Sequence, residues 1–308
     1  MAADAISRKA KKHKIALTVV TRIVLILFTV VVLWPILWTI FTSFKTSSEF
    51  LTSAWSLPSS LHAQNYANAW QTGNLGANFI NSIIVTALGL AFIMVLAVPL
   101  AYATSRMKFK LRGPVNFVIM AGLFISQTYI AVPVFTMLSR VEQSINNYFA
   151  DYIFFGSYQI HIQLTSNLVI YALICAVTSL PFTVYLLRGY MSGIPKDYEE
   201  AAGIDGCGHW ATMLRVIVPM SKSALVTVVM FDFMSYWNEY PLALVFLQNE
   251  NVKTLPIGLQ NLMETAKFAT DWGAMFAGMV IVMLPTIVLY CIVQKRLTQG
   301  ISMGGLKG

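Results

Sequence analysis

The chain has 308 residues, of which 57% are apolar and only 11% charged, and its mean hydropathy is +0.66. An ordinary water-soluble domain carries about 25% charged residues, so a soluble enzyme is excluded and a membrane protein is indicated. The net charge of +8 is then read by position, because cations gather in the cytoplasmic loops of membrane proteins, and it implies no nucleic-acid partner.

A bilayer core about 30 Å thick needs about 20 mostly apolar residues per helix. Residues 1–15 form a basic tail with Arg8, Lys9, Lys11, Lys12 and Lys14, and the first predicted span follows from Ile23 to Phe41. Its apolar run is too long for the core of a cleaved signal peptide, so it is expected to remain as a helix. The second span runs from Phe79 to Ala103 and is followed by Arg106, Lys108, Lys110 and Arg112. A third lies within Pro114 to Leu138 and a fourth from Asn167 to Leu187, after which come Arg188, Lys196, Arg215 and Lys222. The fifth, Ser223 to Leu247, is interrupted by Asp232 and Glu239; the sixth, Trp272 to Gln294, is followed by Lys295, Arg296 and Lys307. Pro35, Pro99, Pro133, Pro181, Pro241 and Pro285 fall inside these spans and are read as kinks.

The other connections hold only Lys45, Arg140, Lys253 and Lys267. This asymmetry puts both termini in the cytoplasm, and an even number of crossings agrees. The outer connections, residues 42–77, 139–166 and 248–271, are too short for independent domains. One membrane domain over residues 16–308 is therefore expected, with a core module at 76–295.

Enzyme chemistry finds no foothold. His13, His62, His161 and His209 are scattered, and no metalloprotease, nucleophile-elbow or phosphate-loop spacing occurs. The chain is expected to bind no cofactor or metal of its own, and any nucleotide energy must come from a partner. Cys175, Cys207 and Cys291 have no paired spacing and are expected as free thiols. Ionisable groups at membrane depth usually face a cavity or a partner, which singles out Asp232 and Glu239, together with Asn238. Asp232 and Glu239 share one face if the span is a continuous helix. With Trp237 and Tyr240 they suggest a pathway of polar groups and aromatic rings, suited to a sugar's hydroxyls and apolar faces. Pairing with a neighbouring chain is the competing explanation. Gln127 and Asn81 are weaker candidates, and Trp34, Trp38 and Trp272 fit an interfacial belt or packing better than a binding site.

The loop after the fourth span reads Ile194-Pro195-Lys196-Asp197-Tyr198-Glu199-Glu200-Ala201-Ala202-Gly203-Ile204-Asp205-Gly206. Pro195 suits a first helical turn, and Asp197, Glu199 and Glu200 complement the helix dipole there, so a short helix is predicted. Ala202 and Gly206 would share a face small enough for another protein to approach, and Gly206 also permits the helix to break. These signals alone also fit an amphipathic linker under the membrane.

The longer spacing goes further. Glu200-Ala201-Ala202, three residues, Gly206, nine residues and Val216-Ile217-Val218-Pro219 resembles the EAA loop of ABC importer permeases, with Val216 and Val218 as conservative departures. Ser43-Phe44-Lys45-Thr46, Leu187-Arg188-Gly189-Tyr190, Trp237-Asn238-Glu239-Tyr240 and the glycine-rich end from Gly300 to Gly308 extend the likeness to the carbohydrate branch of type I importers, of the maltose-permease kind. The 139–166 segment is longer than is usual there.

The resemblance implies an all-α fold of six transmembrane helices with a cytoplasmic coupling helix, in the plasma membrane. Within the loop at 194–219, Glu200, Ala201, Ala202, Asp205 and Gly206 would seat in an ATPase cleft, and Asp232, Trp237, Asn238, Glu239 and Tyr240 would line the pathway. The implied partners are a second, different permease subunit, two ABC ATPase subunits that hold ATP and Mg, and an extracytoplasmic sugar-binding protein. A maltose- or maltodextrin-like sugar would be carried inward. The rival readings are a secondary transporter driven by an ion gradient through Asp232 and Glu239, and a membrane enzyme or scaffold.

Overall fold

The computed structural model describes residues 2–152 and 163–304, with side chains at 17–148, 163–268 and 270–294. Helices in chain order are α1 (Ala2–Thr42), α2 (Ser47–Thr52), α3 (Gln64–Thr72), α4 (Leu75–Arg106), α5 (Arg112–Gly122), α6 (Gln127–Tyr152) and α7 (Leu168–Ser192). They continue as α8 (Asp197–Ile204), α9 (His209–Thr212), α10 (Val218–Met220), α11 (Lys222–Trp237), α12 (Pro241–Phe246), α13 (Leu255–Ala269) and α14 (Trp272–Gly304). A π turn at Met213–Ile217 and a 3-10 turn at Glu250–Val252 complete the set, and the described residues contain no strand. Residues 153–162 and 305–308, hence His161 and the end of the glycine-rich tail, lie outside the described residues, as do the side chains of the basic residues at 8–14.

Leu17–Thr42, Leu75–Arg106, Leu168–Ser192 and Trp272–Gln294 are each long and apolar enough to cross a membrane. Two bent pairs bring the number to six, each pair taken as one span: α5 with α6, bent by 105°, and His209–Met220 with α11, bent by 80°. The protein is thus an all-α, multi-pass membrane protein; the fifth candidate span runs from His209 to Trp237 and so begins before and ends short of the predicted Ser223 to Leu247. The third and fifth are broken.

At the third span α5 stops at Gly122, where a Cβ would lie 2.7 Å from Pro181 Cγ of α7. The fifth bends at Ser221, between Met220 and Lys222. At its far end α11 stops at Trp237; Asn238 turns its side-chain amide back to Met234 O (2.8 Å) and the Glu239 carboxylate accepts the Leu242 N–H (2.8 Å). Pro241 sits in the first turn of α12, where its missing N–H is harmless, so it begins a helix instead of kinking one. The Trp237–Tyr240 segment therefore interrupts the helix between α11 and α12, and the face-sharing expected of Asp232 and Glu239 does not hold across it.

The chain forms two compact units, Met1–Trp70 with Leu262–Ile281 and Gln71–Asn261 with Val282–Gly308. In the first, Trp38, Phe50, Trp272 and Phe276 form an aromatic cluster with ring centroids 5.2–6.3 Å apart. The Lys45 ammonium is buried and donates to Ser53 O (3.1 Å), Ala54 O (3.0 Å) and Ser56 Oγ (3.3 Å), so all three of its protons are satisfied without a carboxylate. Thr46 and Glu49 form a reciprocal capping box at the start of α2. The Ser59 hydroxyl, and after it the Thr46 amide, hold the Glu49 carboxyl below the ordinary carboxylate range.

In the second unit α4 and α7 lie along each other through fully buried Ala97, Ala101, Ala172 and Ala176, small residues that let membrane helices approach closely. Tyr236 of α11 is received at Gly89 of α4, where a Cβ would meet its ring at 3.0 Å.

Candidate functional site

The loop between α7 and α11 forms the predicted short helix, α8, with Asp197, Glu199 and Glu200 in its first turn. Gly206, at φ +78°, closes it: Gly206 N–H donates to Gly203 O (3.1 Å) and Cys207 N–H to Ala202 O (2.9 Å), so the last carbonyls are satisfied by the reversing chain. Gly206 therefore ends the helix instead of continuing its face.

Ala202 is buried, because α8 packs on α9 and the π turn, where Met213 and Ile217 are also buried. The expected small-residue face joining Ala202 to Gly206 is thus not formed. Glu200, Ala201, Asp205 and Gly206 do face outward, alongside Ile204 at 87% exposure and Trp210 at 68%. Pro219 cannot donate to the carbonyl four residues before it, and the ladder widens just upstream, where Val218 N–H reaches Met213 O across the π turn.

The end of α4 meets this loop. Arg106 Nη2 donates to Ile194 O (2.6 Å), and its Nε stands 3.2 Å from Glu199 Oε1 as an ion pair, with the Arg106 side chain only 3% exposed.

A second site lies at the break between α5 and α6, where Gln127, Thr178, Ser179, Phe182, Asp232 and Ser235 line a cavity of ≈ 330 Å³. Asp232 is buried and takes the Thr183 hydroxyl, which stands 3.0 Å from each of its oxygens. Phe182 meets Phe231 edge to face at 5.8 Å. Hydroxyls, one amide and one carboxylate beside two rings can hydrogen-bond a polar solute and stack on its apolar face.

Of the span-five residues predicted to line a pathway, Asp232 alone reaches this cavity, joined there by Gln127. Trp237 is a packing residue, stacked on Phe233 (5.7 Å) and donating to Val282 O (3.2 Å). Asn238 and Glu239 close helix ends, and Tyr240 packs on the core at the start of α12. Asn81 donates to Asn251 O and Lys253 O, both at 2.9 Å, and so ties α4 to the segment before α13. Among the described residues no cluster of His, Cys, Asp and Glu could hold a metal ion, and the three cysteines are free.

Residues 94–303 match the family of binding-protein-dependent transport system inner membrane components. The chain belongs to this family. It is 33% identical to the probable ABC transporter permease protein YurM of Bacillus subtilis, over 92% of this chain and 87% of YurM. It is 31% identical to the diacetylchitobiose uptake system permease protein NgcG of Streptomyces coelicolor, over 97% of this chain and 92% of NgcG. Its fold is that of a chain in the crystal structure of a bacterial ABC transporter for import of the acidic polysaccharide alginate, at a TM-score of 0.72 and 22% identity, over 90% of this chain and 95% of that one.

Sequence reasoning missed two features of this permease. Ile204 and Trp210 carry the apolar part of the outward loop surface, and their spacing has no signature of its own. Arg106 reads as an ordinary basic residue at a helix end; its partners lie 88 and 93 positions away, at Ile194 and Glu199, and no local pattern announces them.

Proposed function

We propose that this permease is one half of the pathway of an ATP-driven importer for a sugar or short oligosaccharide. The observation that carries the proposal is α8 with its Gly206 closure, a rigid element that presents Glu200, Ala201, Asp205 and apolar Ile204 outward. Two separate ATPase subunits hold ATP and Mg; one of them seats this loop, and a second, different permease chain supplies the other half of the pathway. Their closure moves α8, and the helices follow because the bundle contacts its motor differently in two states. The membership in a binding-protein-dependent family supports an extracytoplasmic binding protein as the donor of the solute.

The sugar assignment draws on the similarity to NgcG and on the mixed polar and aromatic lining beside Asp232. Maltose-type sugars and diacetylchitobiose are the first solutes to try. Both termini and α8 are placed in the cytoplasm of a plasma-membrane protein, on the distribution of lysine and arginine. The functional unit is one membrane domain at 16–308, with 76–295 as its core.

An ion-coupled transporter would need Asp232 and Glu239 on a common path, whereas each has its own local partner, Thr183 and the start of α12. The test is gentle extraction followed by reconstitution of the whole complex, with uptake of maltose, maltotriose and diacetylchitobiose measured with and without ATP. Retention of an ATPase pair and accumulation of a sugar only with ATP is the expected result. Accumulation by this chain alone, abolished by collapsing an ion gradient, overturns it.

A further inference from the structure

The geometry points to Arg106 as the positioning residue that ties α8 to α4, so that displacement of the loop is passed directly to a membrane helix other than the two it connects. This rests on the coupling function proposed above for α8.

Most of the loop's anchors lie on its own flanks. Tyr190 of α7 reaches Met220 O (3.4 Å) and accepts from Ser223 (3.0 Å), so the loop's two ends are held to each other. Such contacts let α8 drag α7 and α11, its covalent neighbours, and reach α4 only indirectly, through its packing on α7. Arg106 supplies a direct hold. It is the last residue of α4, and its guanidinium engages two successive parts of the loop: the backbone at Ile194, with Pro195 O at the limit of reach (3.5 Å), and the Glu199 carboxylate inside α8.

The chemistry of the fork matters. One planar group donates to the Ile194 carbonyl through Nη2 while its Nε edge stands 3.2 Å from the Glu199 carboxylate as an ion pair, a placement that a lysine ammonium on its flexible stem does not reproduce. The Arg106 side chain is 3% exposed and Ile194 is buried, so breaking their bond leaves a buried donor and a buried carbonyl to be satisfied. Because α4 and α7 are packed along their lengths through small buried residues, a pull on Arg106 is carried by that pair as a body.

Adjacent carboxylates in α8 thus have opposite tasks. Glu199 faces inward to Arg106, and Glu200 faces outward to the motor.

The test uses the complete importer in lipid vesicles, with the sugar that the wild type accumulates, and reads uptake, ATP hydrolysis and retained ATPase subunits from one preparation. Arg106→Ala is expected to keep the ATPase subunits attached and hydrolysing while ATP consumed per sugar rises by about tenfold, in the range of coupling between two sites. Arg106→Lys, which keeps the charge without the fork, should restore the amount of complex and only part of the coupling. Glu199→Ala should raise the ratio alone and add little in the Arg106→Ala background, because both changes cut one link.

If Arg106→Ala or Arg106→Lys yields less complex but an unchanged ratio per complex, Arg106 is only a stabilising residue and the inference is overturned. Failure of the coupling reading looks different: the wild type itself would retain no ATPase pair, or would accumulate sugar without ATP.

Discussion

Gly206 separates the demand of the backbone from the demand of contact. No atom lies within 4 Å of where its Cβ would stand, yet its φ is +78°. Gly206→Ala should therefore lower stability by about 1–2 kcal/mol through strain alone. Gly203, inside α8 with equally open surroundings and no positive φ, is the control: Gly203→Ala should raise stability by roughly 0.5–1 kcal/mol. Thermal unfolding in detergent reads both, and equal shifts would refute the backbone explanation. Glu49 offers a pH-dependent counterpart. Its carboxyl is held below the ordinary value of 4.5 by Ser59 and Thr46, so its stabilisation is complete above that pH and is lost as the pH falls through the lowered folded value. The melting advantage of the wild type over Glu49→Gln should accordingly be present at neutral pH and disappear on acidification.

Between elements, the Thr183–Asp232 contact joins α7 to α11 inside the second unit. Thr183→Val leaves a buried carboxylate without its donor, a loss of about 1–3 kcal/mol, whereas Thr183→Ser retains the hydroxyl. Unfolding midpoints that do not distinguish the two variants would show that the hydrogen bond contributes nothing. This is also the scale at which the sequence becomes harder to read. Apolar run length is a local quantity, and it located the four continuous spans; whether a run stays one helix depends on what it meets. Gly122, the last residue of α5, lies where a side chain would meet Pro181 of α7, and in the Trp237–Tyr240 segment Asn238 and Glu239 turn to serve backbone groups. Helical periodicity assumes an unbroken helix, so it brought Glu239 onto the face of Asp232 where the chain does not. At α8 the reading went further, because a glycine at a helix end is itself a local signal, while the burial of Ala202 depends on α9 and the π turn and was hidden.

For the whole molecule the clearest expectation concerns sidedness. The lysine and arginine distribution puts the α8 loop inside the cell and the segment before α13 outside. A membrane-impermeant maleimide should label Gln248→Cys in intact cells, and Cys207 only after permeabilisation, since both positions are accessible in the protein. The opposite pattern would invert the topology and remove α8 from the reach of any cytosolic motor. Charge asymmetry survives in the sequence because insertion reads it directly from loops. The division into two compact units has no such trace, since it joins Met1–Trp70 with Leu262–Ile281, stretches at opposite ends of the chain.

The first helix carries a consequence of its own. Its crossing segment, Leu17–Thr42, has 26 residues and its most apolar window buries nothing against the rest of the chain, while Trp38, beyond Pro35, is held in the aromatic cluster. At about 1.5 Å per residue it is nearly 40 Å long in a hydrocarbon layer of about 30 Å. A rod that is too long and pinned at one end must lean, and none of the described residues covers its most apolar window. Its inclination is accordingly dictated from outside, by lipid length or an adjoining subunit, so a thinner or thicker bilayer would swing this arm first.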